Sequence, residues 1–249
     1  MIQLSQLQKI QLYEDGYVHI PQVAPLSLVN DAKSEINAFL GQHSDLVDKE
    51  ALANERLCSE LKADERILNL FHKTDARSIV ESAIGFNKIV LSKNVQIALR
   101  FPIKNRKPFE LDPHVDGFHP TQEETPGSIL PFTAIVGIFL NDLDKDWSGN
   151  FTVWPGSHRL SEKYFQQHKP DSDLRFGIPP IKLPPPVQLK VKAGDMIFAH
   201  FQLAHDASMN LQEAIRYAVF FRMNHIEQPK DSIEVLSNIW RYWDGMADL

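Results

Sequence analysis

Ala193-Gly194-Asp195-Met196-Ile197-Phe198-Ala199-His200, followed after a short connection by the run Ala214–Met223, decides how this chain folds. Gly194-Asp195 is a turn signal. Met196–Ala199 and Ala214–Met223 read as strands. Candidates of the same kind lie upstream at Val95–Phe101, Phe132–Leu140, Phe151–Trp154 and Val187–Val191. Turn signals separate them at Asn141-Asp142, Ser148-Gly149-Asn150 and Pro155-Gly156-Ser157. Short strands punctuated in this way predict a barrel or a sandwich. Pro179, Pro180 and the Pro184–Pro186 run read as an extended connection inside the domain.

Working outward, residues 1–90 have a different character and read as mainly helical. Leu4, Leu7, Ile10 and Leu12 give an amphipathic start that Asp15-Gly16 ends. Tyr17–Pro21 is a short alternating strand. Ser27–Leu40 carries Leu28, Val29, Ala32, Ile36 and Leu40 at helical spacing, with Gly41 after it. Two or three shorter helices are expected between Lys49 and Ser82. A last helix is expected over Asp231–Trp243, with Ile233, Leu236, Ile239 and Trp240 on the face packed against the β core. The expected organisation is one domain over 1–249, of α+β or mainly β class: a helical flank at 1–90, a β core at 91–226 and a helical tail at 227–249.

The chain has 249 residues, of which 43% are hydrophobic, enough for a sizeable core in one large domain. A formal net charge of -6 argues against nucleic acid or an anionic membrane as the main partner. Cys58 is the only cysteine, so there is no internal disulfide framework and a reducing compartment fits. MIQLSQLQKIQLYEDG lacks a basic segment followed by an apolar run. The apolar stretch Ile129–Leu140 contains Pro131 and is too short to span a bilayer. A soluble, cytoplasmic chain acting on a small molecule is the expectation, with no oligomeric state implied.

The chemistry concentrates in His114-Val115-Asp116, with His200, His205 and Arg216 downstream. Two imidazoles and one carboxylate are the ligand set of a non-haem Fe(II) site with open coordination positions. On an extended strand, residues i and i+2 share a face, so His114 and Asp116 reach one metal together if Leu111–Gly117 is a strand or strand end. Asp112-Pro113 enforces an extended approach, and Gly117 lets the chain turn away. Either His200 or His205 can supply the third ligand. Spacing favours His205, because Arg216, eleven residues on, then returns beside it on the next strand. A guanidinium there suits a two-pronged contact with the carboxylate of a bound oxoacid. His119 reads as structural. The loop Lys104-Asn105-Arg106-Lys107 reads as a solvated basic loop or an anion contact. Phe109, Phe118, Phe132, Trp154 and Phe201 read as core or as an apolar pocket.

These pieces fall in one order: Glu14-Asp15-Gly16-Tyr17, His114-Val115-Asp116-Gly117, Gly149-Asn150-Phe151 through Val153-Trp154-Pro155-Gly156-Ser157-His158-Arg159, Gly194-Asp195, and His205 with Asn210 and Arg216. In that order the chain resembles the phytanoyl-CoA dioxygenase-like group of Fe(II)/2-oxoglutarate oxygenases, from about Tyr13 to Met223. The resemblance implies a double-stranded β-helix (jelly-roll, cupin-like) core with flanking N-terminal helices. It implies that His114, Asp116 and His205 hold Fe(II), and that Arg216 binds the C5 carboxylate of 2-oxoglutarate. Asn210, Gln96 and Thr133 match positions near the cosubstrate, while Ser157 and His158 shape a supporting turn. It further implies O2 as cosubstrate, ascorbate as a stimulant, succinate and CO2 as products, and hydroxylation of a C–H bond. Halogenating relatives replace the carboxylate by a small residue; this chain keeps Asp116, which favours hydroxylation. Asp206 departs from the small residue common after the distal histidine, and reads as a turn cap. Two other readings are a small-ligand-binding barrel with a vestigial metal site and a zinc hydrolase. The latter would draw its base from residues such as Asp206 and leave Arg216 and Asn210 without a task.

Overall fold

Ser5 and Gln8 form a capping box: the Ser5 hydroxyl accepts from the Gln8 amide, and the Gln8 side chain accepts from the Ser5 amide. It starts helix α1 (Gln6–Asp15), which Gly16 ends in a left-handed C-cap. The computed structural model describes residues 2–43, 58–103, 106–108, 110–117, 129–169, 178–230 and 232–249. Of the four apolar positions expected to face inward at the start, Leu4 and Leu12 are buried, whereas Leu7 and Ile10 are exposed. Helix α2 (Leu26–Gln42) buries Val29, Ala32, Ile36 and Phe39, and it runs through Gly41 instead of stopping before it. Helices α3 (Glu65–His72, capped by the Asp64 side chain) and α4 (Ala76–Ile84) lie in the expected interval, part of which, 49–57, is outside the described residues.

Nine strands follow this helical start or interleave with it: β1 (Tyr17–Ile20), β2 (Ile89–Val90), β3 (Gln96–Arg100), β4 (Ala134–Phe139), β5 (Phe151–Val153), β6 (Val187–Gln188), β7 (Met196–His200), β8 (His205–Ala207) and β9 (Arg216–His225), counted among the described residues. All the pairings are antiparallel. The larger sheet runs β1-β7-β4-β9-β2, with β3 also paired to β9; the smaller runs β6-β5-β8. The protein is therefore a mixed α/β molecule built on antiparallel sheets.

Strand parity places the core and the site together. Along β9, Tyr217, Val219, Phe221 and Met223 join one apolar cluster with Val29, Ile36, Leu70 and Phe71 of the helices. Ala218 and Phe220 point the other way, into a second cluster with Phe151 and Val153 of the smaller sheet. β4 divides likewise, Val136 and Ile138 toward the helices and Ile135 and Phe139 toward the small sheet. A sheet covered on both faces carries a continuous apolar run instead of alternation, as all six buried residues of β4 show. Gly137 fits this layer because a Cβ there would lie 2.6 Å from the Phe220 ring.

The C-terminal expectation also fails. The tail is not a helix over Asp231–Trp243: short 3-10 turns at Ile233–Leu236 and Asp244–Met246 flank irregular chain, and Ile233 is exposed. Trp240 and Trp243 pack on the His200 ring, so tertiary contacts override the helical spacing. Ser157 closes the turn from Trp154, its Oγ accepts from the Ala204 amide next to His205, and with His158 it also begins helix α5 (Ser157–Gln167), a helix not anticipated from sequence. No helix among the described residues is long and apolar enough to cross a membrane.

Candidate active site

Backbone pairing brings the first two site residues together. His114 and His205 exchange both backbone hydrogen bonds, at 2.9 and 3.0 Å, in an isolated antiparallel bridge. The expected strand over Leu111–Gly117 is reduced to that single bridge, for Pro113 has no N–H to extend a ladder. Two residues on, Asp116 returns to the same side, while Val115 between them is fully buried. Gly117 then turns the chain at φ +85, where an added Cβ would sit 2.5 Å from the Leu130 carbonyl oxygen.

One ligand atom each from His114, Asp116 and His205 lies within 4.8 Å of the others. Asp116 Oδ1 stands 3.8 Å from His114 Nε2 and 3.9 Å from His205 Nε2. Two ligands on one ion at bond lengths of roughly 2.1 Å are separated by about 3–4 Å, so the spacing fits a single divalent metal. His205 Nδ1 donates to the Leu203 carbonyl at 2.8 Å, which leaves Nε2 as the lone-pair nitrogen turned to the cluster. Burial, then the neighbouring His114, lowers the His205 pKa to about 4 and keeps that nitrogen unprotonated at neutral pH. Asp116 is ionised: burial opposes its charge, but Arg222 and the two histidines outweigh that and lower its pKa.

Arg222 was not anticipated from sequence. Its Nε and Nη2 lie 3.0 and 2.8 Å from Asp116 Oδ2, and Nη2 also donates to Gln96 Oε1 at 3.0 Å. It therefore occupies one carboxylate oxygen and leaves Oδ1 toward the histidines. Arg216 and Arg222 are six residues apart on one strand, hence on one face, and that parity was the available signal.

A cavity of about 170 Å³ opens over the cluster, lined by the triad together with Gln96, Arg100, Phe220, Arg222 and Arg216 among others. Arg216 is 2% exposed, and its Nε and Nη1 donate to the carbonyls of Gly149 and Ala98 at 2.8 and 3.0 Å. It pairs with no carboxylate among the described residues. Burial, then Arg100 opposite it in the β3–β9 register, lowers its pKa strongly. A guanidinium nevertheless stays protonated near neutrality, so a buried cation here calls for an anion in the cavity.

The sequence of this chain matches the family model described as phytanoyl-CoA dioxygenase (PhyH) over residues 12–218. The chain belongs to the PhyH family. No sequence among curated proteins matches it. Among solved structures it resembles the non-heme alpha ketoglutarate dependent epimerase SnoN from nogalamycin biosynthesis at 20% identity, covering 88% of this chain and 80% of that one with a TM-score of 0.56. HygX from Streptomyces hygroscopicus, with nickel and 2-oxoglutarate bound, aligns at 16% identity over 92% and 90% with a TM-score of 0.54. EctD from S. alaskensis, with 2-oxoglutarate and 5-hydroxyectoine, aligns at 15% identity over 89% and 76% with a TM-score of 0.58. At these identities the likeness establishes a shared fold.

Within this PhyH-family site the other sequence candidates separate. Gln96 lines the cavity, but its amide oxygen accepts from Arg222. Asn210 lies outside the lining: its Nδ2 donates to the carbonyls of Arg100 and Ala214, and its Oδ1 accepts from Gln212, so it ties down the turn that delivers Arg216. Thr133 also lies outside, because its hydroxyl donates to Gln228 and accepts from the His225 amide. His200 is fully buried with both ring nitrogens engaged, by the Ile239 carbonyl and the Gln202 amide. Asp206 accepts from the amides of Asp112 and Ala207, which staples the approach to His114 and occupies both carboxylate oxygens. Arg106 and Lys107 are exposed; Lys104, Asn105, Phe109, Phe118 and His119 lie outside the described residues. Phe132, Trp154 and Phe201 are core, and the apolar cavity wall is instead Phe151, Phe220 and Ile135.

Proposed function

We propose that this protein is an Fe(II)- and 2-oxoglutarate-dependent dioxygenase that hydroxylates a C–H bond of a small organic molecule. The observation that carries the reading is one cavity that holds both the His114–Asp116–His205 cluster and the buried Arg216, which has no counter-ion among the described residues. A hydrolytic zinc site has no use for that cation, and Asp206, its candidate base, is tied to two backbone amides. Bound Fe(II) would supply the oxidising chemistry, with O2 as the oxidant and 2-oxoglutarate as the co-substrate converted to succinate and CO2.

The chain's own residues bind and orient. His114, Asp116 Oδ1 and His205 Nε2 would hold the metal. Arg216 grips the far carboxylate of the cosubstrate with a charge-assisted contact. Phe151 and Phe220 exclude water between the two. Retention of Asp116 supports hydroxylation over halogenation. The same reading carries a double-stranded β-helix core, one domain over 1–249 and a cytoplasmic setting, with ascorbate as a stimulant.

Anaerobic addition of 2-oxoglutarate to the Fe(II)-loaded protein tests it. The visible charge-transfer band of chelated 2-oxoglutarate is expected, and air should then give succinate. His114→Ala and Asp116→Ala should abolish both. Absence of the band in the wild type, or full succinate formation by either variant, would refute the assignment.

A further inference from the structure

A second cavity, of about 200 Å³, adjoins the metal cavity and shares Gln96, Phe220 and Arg222 with it. Its remaining wall is Lys62, Ser92, Asn94 and Val95. Among the described lining residues Lys62 and Arg222 are cations, and none is a carboxylate. The wall is tied together by backbone contacts. The Lys62 carbonyl accepts from the Val95 amide at 3.0 Å, which anchors the segment after Leu61 to the entry of β3. Ser92 Oγ donates to the Arg222 carbonyl at 3.1 Å and braces β9 from the same side.

The charges on the two cations are balanced differently. Arg222 is answered by Asp116 at 2.8 Å. Lys62 is half-buried and forms no ion pair among the described residues. The ammonium of a partly sheltered lysine favours an anion more than a neutral or cationic guest. Arg222 lines both cavities and pairs with Asp116 of the metal cluster, so the side cavity borders the site through it.

We propose that this side cavity seats an acidic group of the substrate, a carboxylate or a tetrahedral oxyanion, held by Lys62 and Asn94, with the rest of the substrate passing Phe220 to the metal. The inference rests on the oxygenase reading of the neighbouring cavity and adds the substrate class: a small organic acid. Two separate cationic seats, Arg216 for the cosubstrate and Lys62 for the substrate, let both anions bind without competing.

Calorimetric titration tests this on the full-length Fe(II)-loaded protein under anaerobic conditions, saturated with 2-oxoglutarate and held at constant ionic strength with chloride. Sulfate is the probe in one arm and acetate in the other. One-to-one binding is expected in at least one arm, and the arm that binds distinguishes an oxyanion from a carboxylate. Lys62→Gln should weaken that binding about tenfold, the effect of losing one sheltered charge contact. Asn94→Leu, at an exposed position that spares folding, should weaken it several-fold. The charge-transfer band of bound 2-oxoglutarate should persist in both variants. Absence of binding in both arms, or binding unchanged by Lys62→Gln, overturns the proposal. A missing band with Lys62-dependent anion binding intact would remove the oxygenase reading and leave the side cavity standing; a normal band without such binding would do the reverse.

Discussion

Arg216 has two backbone carbonyls for partners and no acid among the described residues, and at 2% exposure that is a costly place for a charge. On the proposed reading, the carboxylate of 2-oxoglutarate completes the pair. Arg216→Ala should therefore raise the 2-oxoglutarate requirement by about 2–4 kcal/mol, roughly 30- to 1,000-fold in KM, with little change in metal affinity. Titrating succinate formation against 2-oxoglutarate measures it; an unchanged KM would move the anchor elsewhere. Arg222 makes the opposite prediction. It holds Asp116 Oδ2 and touches Gln96, so Arg222→Gln should weaken metal binding by about 10- to 100-fold, the usual cost of losing an outer partner of a ligand. Mn(II) titration followed by electron paramagnetic resonance reads this without turnover. At this scale the sequence was informative where spacing is local. His114 and Asp116 sit at i and i+2, and Arg216 follows His205 by eleven residues. Thr133 and Asn210 were harder, because a hydroxyl or an amide serves a backbone turn as readily as a ligand, and only the coordinates show that both side chains are already engaged.

The elements place these side chains, and Gly149 is the tightest example. It has φ +73, and an added Cβ would lie 2.8 Å from Arg100 Cβ and 3.1 Å from Arg216 Cβ. Its carbonyl is also the acceptor for Arg216 Nε. Gly149→Ala combines the left-handed backbone penalty of roughly 1–2 kcal/mol with displacement of two arginines. It should lower the thermal midpoint and raise the 2-oxoglutarate KM together; a variant that melts earlier with normal KM would show that the glycine serves the turn alone. Element type was legible where apolar residues mark the buried face, as in α2 with Val29, Ala32 and Ile36. Helix α5 escaped because its buried face is largely polar: Ser157, His158 and Ser161 point inward, whereas Leu160 is exposed. The tail misled in the opposite direction. Its apolar residues do recur at helical spacing, but each is captured by a different neighbour, Trp240 and Trp243 by His200 and Ile239 by the chain around it.

Those neutral histidines beneath the site couple the whole molecule to pH. His200 is fully buried between the Ile239 carbonyl and the Gln202 amide, and burial lowers its pKa from 6.5 to about 4. His158, on the same aromatic cluster, is driven well below its ordinary value by burial and then by His200. For each, the unfolded chain takes up a proton at a higher pH than the folded one. Their contribution is therefore fully present above the unfolded pKa and is lost as pH falls toward the folded one. For His200 the window is 6.5 down to about 4, and the loss reaches about 3 kcal/mol at its lower end. Urea unfolding of the metal-free chain, measured from neutral pH to pH 4, should show stability falling steadily through that window. His200→Gln should remove about one proton's worth of the slope while lowering stability at neutral pH, since it removes the protonation but not the need to satisfy the Ile239 carbonyl. A slope that is the same in wild type and variant would mean that His200 does not stay neutral in the folded protein. The aromatic cluster would then be protonated in place, with its charge accommodated by the surrounding carbonyls.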